Sequence, residues 1–482
     1  MVPSMTQEAL SSRQLAAQAA ALATQAYSAS DFALAESCFA KAALLDPANS
    51  TYRCDLATAR LSQGKNDLAL KGLERAIDPL DAQDCATMGL VLKTMGAGSE
   101  AIIWLKRALL LKPGHGAARL NLSNLLLASG QHEEAILILR QGIEECPGNW
   151  QLLNNLGLAL HEGGRPQEAL SILDRALEMA PASREAALNR AHALLSMGRW
   201  REGFTAYEVR LPPDPPPSPT PRWRGEALPG KTLLIMAEQG FGDAIQFARL
   251  LPLAAQKVGK LILACDTAMQ GLFGQICETV DESQALPAHD AHCPLLSLPL
   301  TLGLEAPELF AKTPYLSAEK PLALEGGFKV GFVWAGRAGH ANDKNRSLSP
   351  ALLAPLLALP GISAYSLQIG KGNPPVGMRD LAPAIRHLGD TANAIAGLDL
   401  LISADTAPAH LAGALGQAVW TLIPYAPDWR WGHEGEATPW YPTMRLFRQS
   451  RPGDWPGVIE RVATELEKAA RSGNPNPMSS SC

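Results

Sequence analysis

Three stretches of the chain gather residue types that could do chemistry, and each follows a short apolar run. The first is Ala237-Glu238-Gln239-Gly240-Phe241-Gly242-Asp243. Gly240 and Gly242 permit a tight turn and let a ligand approach the backbone. Asp243 falls at the start of the next helix, where it either caps that helix or turns its carboxylate into a crevice. The third glycine of a dinucleotide fingerprint is missing, and G-x-x-x-x-G-K-[ST] does not occur. The second stretch is Trp334-Ala335-Gly336, followed by Asn342-Asp343-Lys344-Asn345-Arg346-Ser347. Arg346 can grip a phosphate with two donors while Lys344 offers a point charge, so this corner suits an anionic ligand; the alternative is a solvated loop. The third is Ser403-Ala404-Asp405-Thr406-Ala407-Pro408-Ala409-His410. Asp405 or Thr406 can cap a helix, and Pro408 fits its first turn, where a missing N–H costs nothing. The amides from Ala407 onward and the helix dipole then offer an anion site. His410 lies one turn in, either facing that site or packed against a neighbour.

The elements that must hold these corners come in two textures. Up to about residue 210 the chain repeats every 34 residues. Gly157, Ala169, Ala176 and Pro181 recur as Ser123, Ala135, Gly142 and Pro147, as Gly89, Ala101, Ala108 and Pro113, and as Ala23, Ala35, Ala42 and Pro47. A shortened copy from about Ser50 carries Ala57, Ala69 and Ala76, with Asp81 in place of the proline, and a sixth copy begins at Ala191 and Gly203. Small residues at these slots let paired helices approach closely, while Gly64, Gly96, Gly130, Gly164 and Gly198 end the first helix of each pair. The pattern resembles the tetratricopeptide repeat. Such a solenoid implies a groove for an extended peptide or partner helix, or else a spacer or dimerisation arm. Residues 212–221 then hold seven prolines in ten positions, a stiff extended hinge. From Lys231 onward, predicted strands at 232–237, 261–265, 330–334, 364–369, 398–403, 419–423 and 444–447 alternate with helices at 243–255, 350–359, 408–415 and 455–470. That alternation predicts parallel α/β sheets in two Rossmann-like halves. The expected layout is a tail over 1–15, a solenoid over 16–211 and a linker over 212–228. An α/β half over 229–320, a second over 321–470 and a tail over 471–482 follow.

Composition narrows the function classes. The chain has 482 residues, room for about three domains. It is 47% hydrophobic and 18% charged, enough apolar matter for packed cores. A net charge of −5 gives no electrostatic footprint for nucleic acid. No apolar run is long enough to span a membrane, and the N-terminus lacks the pattern of a signal peptide, so a cytoplasmic location is expected. The eight cysteines are scattered without a C-x-x-C pair, which predicts buried thiols and no structural zinc. Five of the ten tryptophans lie between Trp420 and Trp455. With Tyr425 and Tyr441, the residues Trp420, Trp429, Trp431 and Trp440 either line a base or sugar pocket or pack a domain junction.

Residues 229–468 resemble the heptosyltransferase-like glycosyltransferases (family nine) and, more broadly, the GT-B fold. The resemblance rests on Gly240–Asp243, the 344–347 run and the D-T-x-x-x-H start at Asp405–His410. The whole layout resembles bacterial tetratricopeptide-repeat glycosyltransferases, similar in architecture to the protein O-GlcNAc transferases. The resemblance implies Asp243 as catalytic base, with Arg346 or Lys344 assisting the leaving phosphates. It also implies Gly240, Gly242, Trp334, Gly336, Asp405, Thr406, Ala407 and His410 around the donor. Glu238-Gln239 stands where heptosyltransferases carry small hydroxyl residues, and a heptosyltransferase carries no repeat array. No D-x-D pair occurs, so no metal is expected and helix amides with Lys or Arg must meet the leaving group's charge. The expectation is a metal-independent transferase moving a sugar from a nucleotide-sugar donor to a protein or peptide acceptor in the repeat groove, with a homodimer through the repeats as a further option. The alternatives are a non-catalytic repeat scaffold with a degenerate nucleotide-sugar domain, and a transferase acting on a surface polysaccharide or lipid. The Pro427-Asp428-Trp429-Arg430-Trp431 segment resembles one found in the repeat-bearing enzymes, without an assigned role.

Overall fold

The computed structural model describes residues 11–74, 78, 81–212, 220–304, 306, 313–337, 339, 342–370 and 372–475. Most of the proline run, most of the first tail and the end of the last tail lie outside the described residues. The chain divides into two compact units, one of residues up to Gly163 with Ser171–Ser183, the other of Gly164–Leu170 with everything from Arg184 onward.

The first unit is the helical solenoid. Helices Ser12–Ser28 and Phe32–Leu45 pack as a pair, as do Ala82–Thr94 with Gly98–Leu111 and Gly116–Ala128 with His132–Glu145. The small slots do what their size permits: a Cβ on Gly89 would stand 2.5 Å from Leu105 Cγ, and one on Gly157 2.4 Å from Leu173 Cγ. Any larger residue there would push the paired helices apart. The turn glycines have positive φ, +72° at Gly64, +81° at Gly96 and +73° at Gly130. Each is followed by an amide that bonds back across the helix end, as from Lys65 to Arg60 O at 2.9 Å and from Gln131 to Leu126 O at 2.8 Å. This is the left-handed helix stop that glycine adopts at least cost. Ser30 fills the same slot in the first repeat, with φ +62° and the matching bond from Asp31 to Ala26 O at 2.9 Å.

Besides Gly164–Leu170, the second unit includes helices Arg184–Ser196 and Trp200–Tyr207, the pair formed by the sixth copy. The last helical pair of the expected 16–211 array thus packs with the α/β unit. Trp200, Phe204 and Tyr207 meet Trp429 edge to face at 6.4, 6.1 and 6.3 Å between ring centroids, and Trp200 meets Trp440 at 5.5 Å. These helices are part of the α/β core, where each aromatic pair adds about 0.5–1.5 kcal/mol beyond area burial.

Two parallel sheets follow. Strands β1 (Leu228–Met236), β2 (Val258–Cys265), β3 (Glu278–Asp281) and β4 (Ala291–Pro294) stand in the order β3-β2-β1-β4. Strands β5 (Phe328–Val333), β6 (Ile362–Ser366), β7 (Arg379–Asp380), β8 (Leu400–Ala404), β9 (Val419–Ile423) and β10 (Met444–Arg448) stand in the order β10-β9-β8-β5-β6-β7. In the first sheet the strand order reverses beside β1, and in the second between β5 and β8. Ligands bind open α/β sheets in the crevice at such a reversal, beyond the carboxyl ends of the strands. The three corners follow β1, β5 and β8.

Two expected helices are shorter than their sequence pattern. The stretch 243–255 forms Phe241–Ala248 and Leu251–Ala255, because Pro252 cannot continue the first helix and starts the second. The stretch 350–359 forms a 3₁₀ turn at Pro350–Leu353 and one turn of α-helix at Ala354–Leu357. No helix among the described residues is long and apolar enough to cross a membrane.

Ser30 makes a direct test of the repeat geometry. Ser30→Gly should raise stability by about 0.5–1 kcal/mol, since it relieves a left-handed backbone at the cost of glycine's extra freedom when unfolded. Gly130→Ala should lower stability by a similar amount or more. Urea titration of both variants checks the sign.

Candidate functional site

The three corners lie around one point. At the first, Gly240 caps helix Phe241–Ala248 and its amide donates to Asp243 Oδ2 at 2.9 Å. Asp243 thus caps its own helix, and its second oxygen, Oδ1, receives Arg430 Nη2. Gly242 is bare for a reason of space: a Cβ there would stand 3.0 Å from His410 Cδ2 and 3.8 Å from Ala407 Cα. Two helix starts, one from each sheet, touch at this glycine. Gln239, just before the turn, holds φ +65° without being glycine, and its side chain bonds the Tyr207 hydroxyl. Glu238 receives Arg210 Nη2 at 2.6 Å and the Leu296 amide at 3.1 Å, so it fastens the loop.

At the third corner the helix Ala407–Ala414 begins without a side-chain cap. Thr406 is its N-cap residue, but the hydroxyl turns back to Ala404 O at 3.2 Å and to Ser403 Oγ at 3.1 Å. The expectation that Asp405 or Thr406 caps is therefore corrected. The helix start, with its dipole, stays open to an anion. The second corner closes over it: Arg346 Nη1 donates to Asp405 O at 3.0 Å. Gly336 makes room for that arginine, since a Cβ there would stand 2.6 Å from Arg346 Nη2. Trp334 is a different matter. Its indole is buried in the second sheet's core, and only its amide is at the strand end, donating to Gln368 Oε1 at 3.0 Å. Lys344 is exposed, and no ion pair to it is found among the described residues.

Sequence reasoning missed the centre of this arrangement. Arg430, in the 3₁₀ turn Trp429–Trp431, reaches Asp243 with Nη2, Asp428 Oδ1 with Nη1 at 2.8 Å and Gln246 Oε1 with Nε at 2.5 Å. Its guanidinium lies over the Trp429 ring, 4.2 Å from the centroid. Burial works against its charge, but Asp428 and Asp243 more than restore it. The Asp428 carboxyl is pushed up by burial and pulled down further by Arg430, ending below the usual range. Only the Asp428-Trp429-Arg430-Trp431 segment, singled out above by resemblance alone, could have signalled this group. The aromatic residues of that region resolve as packing: Trp420, Trp429, Trp431, Trp440 and Tyr441 are all buried.

The site is rich in unpaired donors. Arg346 Nε and Gln246 Nε2 are buried and meet no hydrogen-bond acceptor among the described residues, while the Trp431 indole is aimed at Asp405. Burial, with the Asp428 charge behind it, pushes Asp405 up to about 6. Burial and then Arg430 push His410 down to about 3, so the imidazole is neutral, with Tyr441 Oη 3.0 Å from Nδ1. An arrangement of two arginines, Arg346 and Arg430, with an open helix start can bind a phosphate and place a carboxylate, Asp243, beside it.

The two shifted groups oppose each other in the pH dependence of folding. Asp405 stabilises the fold while protonated, and that stability is lost as pH rises from about 4 through about 6. His410 stabilises the fold while neutral, and that stability is lost as pH falls below about 6.5 toward about 3. Relative to wild type, Asp405→Asn should gain about 3 kcal/mol between about pH 4 and 6. His410→Gln should instead gain relative stability as pH falls. Urea midpoints across that range distinguish the two slopes.

A family model of the tetratricopeptide repeat matches residues 94–156 and 160–214. Protein FlbA of Caulobacter vibrioides is 29% identical over 333 residues, 56% of this chain and 53% of FlbA. The chain thus spans about half the length of that curated relative. Among solved structures, a thermophilic TPR protein of Thermus thermophilus is 21% identical over 37% of this chain and 99% of its own, with a TM-score of 0.34. MamA protein is 22% identical over 35% of this chain and 93% of its own, with a TM-score of 0.29. The N-terminal region is a tetratricopeptide-repeat solenoid.

Proposed function

We propose that the α/β unit is a glycosyltransferase of the GT-B kind, moving a sugar from a nucleotide-sugar donor to an acceptor without a metal. The observation that carries this reading is the uncapped start of helix Ala407–Ala414, ringed by Arg346 and Arg430, with Asp243 from the other sheet beside it. The donor phosphate would lie on the helix start, where the amides and both arginines meet the charge that develops as it leaves. In the step itself the acceptor hydroxyl oxygen bonds the anomeric carbon and the bond from that carbon to the phosphate oxygen breaks. The phosphate keeps the electron pair, and the hydroxyl proton passes to Asp243. The acceptor is a polypeptide held by the repeats, a partner class that tetratricopeptide repeats typically bind.

One observation favours a second reading, a domain that binds a nucleotide sugar without turnover. Both Asp243 oxygens are already taken, by the Gly240 amide and by Arg430, so neither is free to receive a proton in this arrangement.

Intact-mass measurement separates the readings. With UDP-, GDP-, dTDP- and CMP-activated sugars and candidate acceptor polypeptides, the protein should add one sugar mass to an acceptor. Asp243→Ala should slow transfer roughly 100-fold or more. Nucleotide binding without transfer from any of these donors would establish the second reading, and full activity in Asp243→Ala would remove Asp243 as base.

A further inference from the structure

The contact that favours the second reading also suggests how the first would operate. We propose that Arg430 serves two anions in turn, holding Asp243 while the donor site is empty and the donor phosphate once it is filled, so that Asp243 is released only after the donor has bound. The proposal rests on the transferase reading and assigns Arg430 as its phosphate-sensing residue.

Geometry supports the exchange. Arg430 reaches Asp243 from the loop after β9, whereas Asp243 sits on the helix after β1, so this ion pair joins elements of the two sheets. Nη1 is anchored by Asp428 Oδ1 at 2.8 Å and Nε by Gln246 Oε1 at 2.5 Å. Nη2, the nitrogen given to Asp243, is the one left to change partners. The guanidinium lies over the Trp429 ring, 4.2 Å from its centroid, a contact that occupies none of its N–H donors. The helix start of Ala407 lies at the same point, since Gly242 touches both Ala407 and His410 one residue before Asp243. A phosphate on that helix start brings a charge that competes with Asp243 for Nη2, and phosphate takes arginine's forked donors at least as well as a carboxylate does.

Competition for one guanidinium has a signature that simple support of the fold lacks. If Arg430 is shared, removing the Asp243 charge frees it, and nucleotide binding becomes tighter. The test is isothermal titration of the full chain with UMP, UDP, CMP, GDP, ADP and dTDP, using whichever binds wild type. Asp243→Asn should bind that nucleotide roughly fivefold or more tightly, a coupling of ordinary size. In an Arg430→Gln background the same Asp243→Asn change should bring no gain. Arg430→Lys, which keeps the charge but not the fork, replaces Arg430→Gln if that variant does not fold, and there the gain must shrink. Unchanged affinity in Asp243→Asn overturns the proposal and leaves nucleotide binding standing. So does an equal gain in the Arg430 backgrounds, the mark of plain repulsion between Asp243 and the phosphate. Absence of binding by every nucleotide to wild type overturns this proposal and the transferase reading together.

Discussion

A guanidinium taken out of water must have its charge met at close range, and it cannot escape the cost by losing its proton. Arg430 is such a group, and the arrangement around it follows from that constraint. Asp428 in its own turn and Asp243 on the far side supply the charge, Gln246 supplies a neutral acceptor, and Trp429 covers the face. Because Asp243 belongs to the first sheet's helix, satisfying Arg430 fixes where that helix starts relative to the second sheet. Gly242 then has to be bare, since the two helix starts converge there. Arg249 makes a second tie of the same kind: it donates to Trp440 O at 3.0 Å and is enclosed by Tyr315, Trp440 and Tyr441. Tyr441 in turn bonds His410, so the second arginine shapes the surroundings of the helix start as well.

The same constraint explains why the corner residues have such uneven environments. Asp405 and Asp428 are close enough to affect one another, yet only Asp428 is tied to Arg430 by a direct bond. One carboxyl therefore titrates below the usual range and the other above it, at about 6. His410 stays neutral beside three arginines, which leaves it a donor or acceptor of hydrogen bonds and not a further cation.

Much of the fold was legible because it depends on local size and spacing. Small residues at fixed offsets can be recognised without knowing their partners, and the left-handed glycines terminate helices wherever they occur. The buried strands β5, β8 and β9 read as apolar runs for the same reason. The short strands β3 and β7 did not, because Glu278–Asp281 and Arg379–Asp380 are polar and are strands only through pairing with β2 and β6. Likewise the helix over 243–255 kept its apolar period across Pro252 although the backbone could not. In the site, Asp243, Arg346 and the Asp405–His410 start were legible as strand-to-helix corners. Lys344 and Trp334 shared those corners in sequence, but the first points to solvent and the second into the core. Arg430 was invisible as a partner because its contacts with Asp243 and Gln246 span 187 and 184 residues. No local pattern records a contact at that distance.

The last helical pair has a consequence for how such chains can be recombined. Its repeat signature assigns Arg184–Tyr207 to the array, but Trp200, Phe204 and Tyr207 are part of the aromatic packing that includes Trp429. Exchange of repeats leaves the packing around Trp429 intact only where this pair is kept. Phe204 and Tyr207 serve as core residues there, whatever their repeat register. The proline run at 212–221 looks like the seam between modules, but a cut there would strip the α/β unit of aromatic rings that its own packing uses.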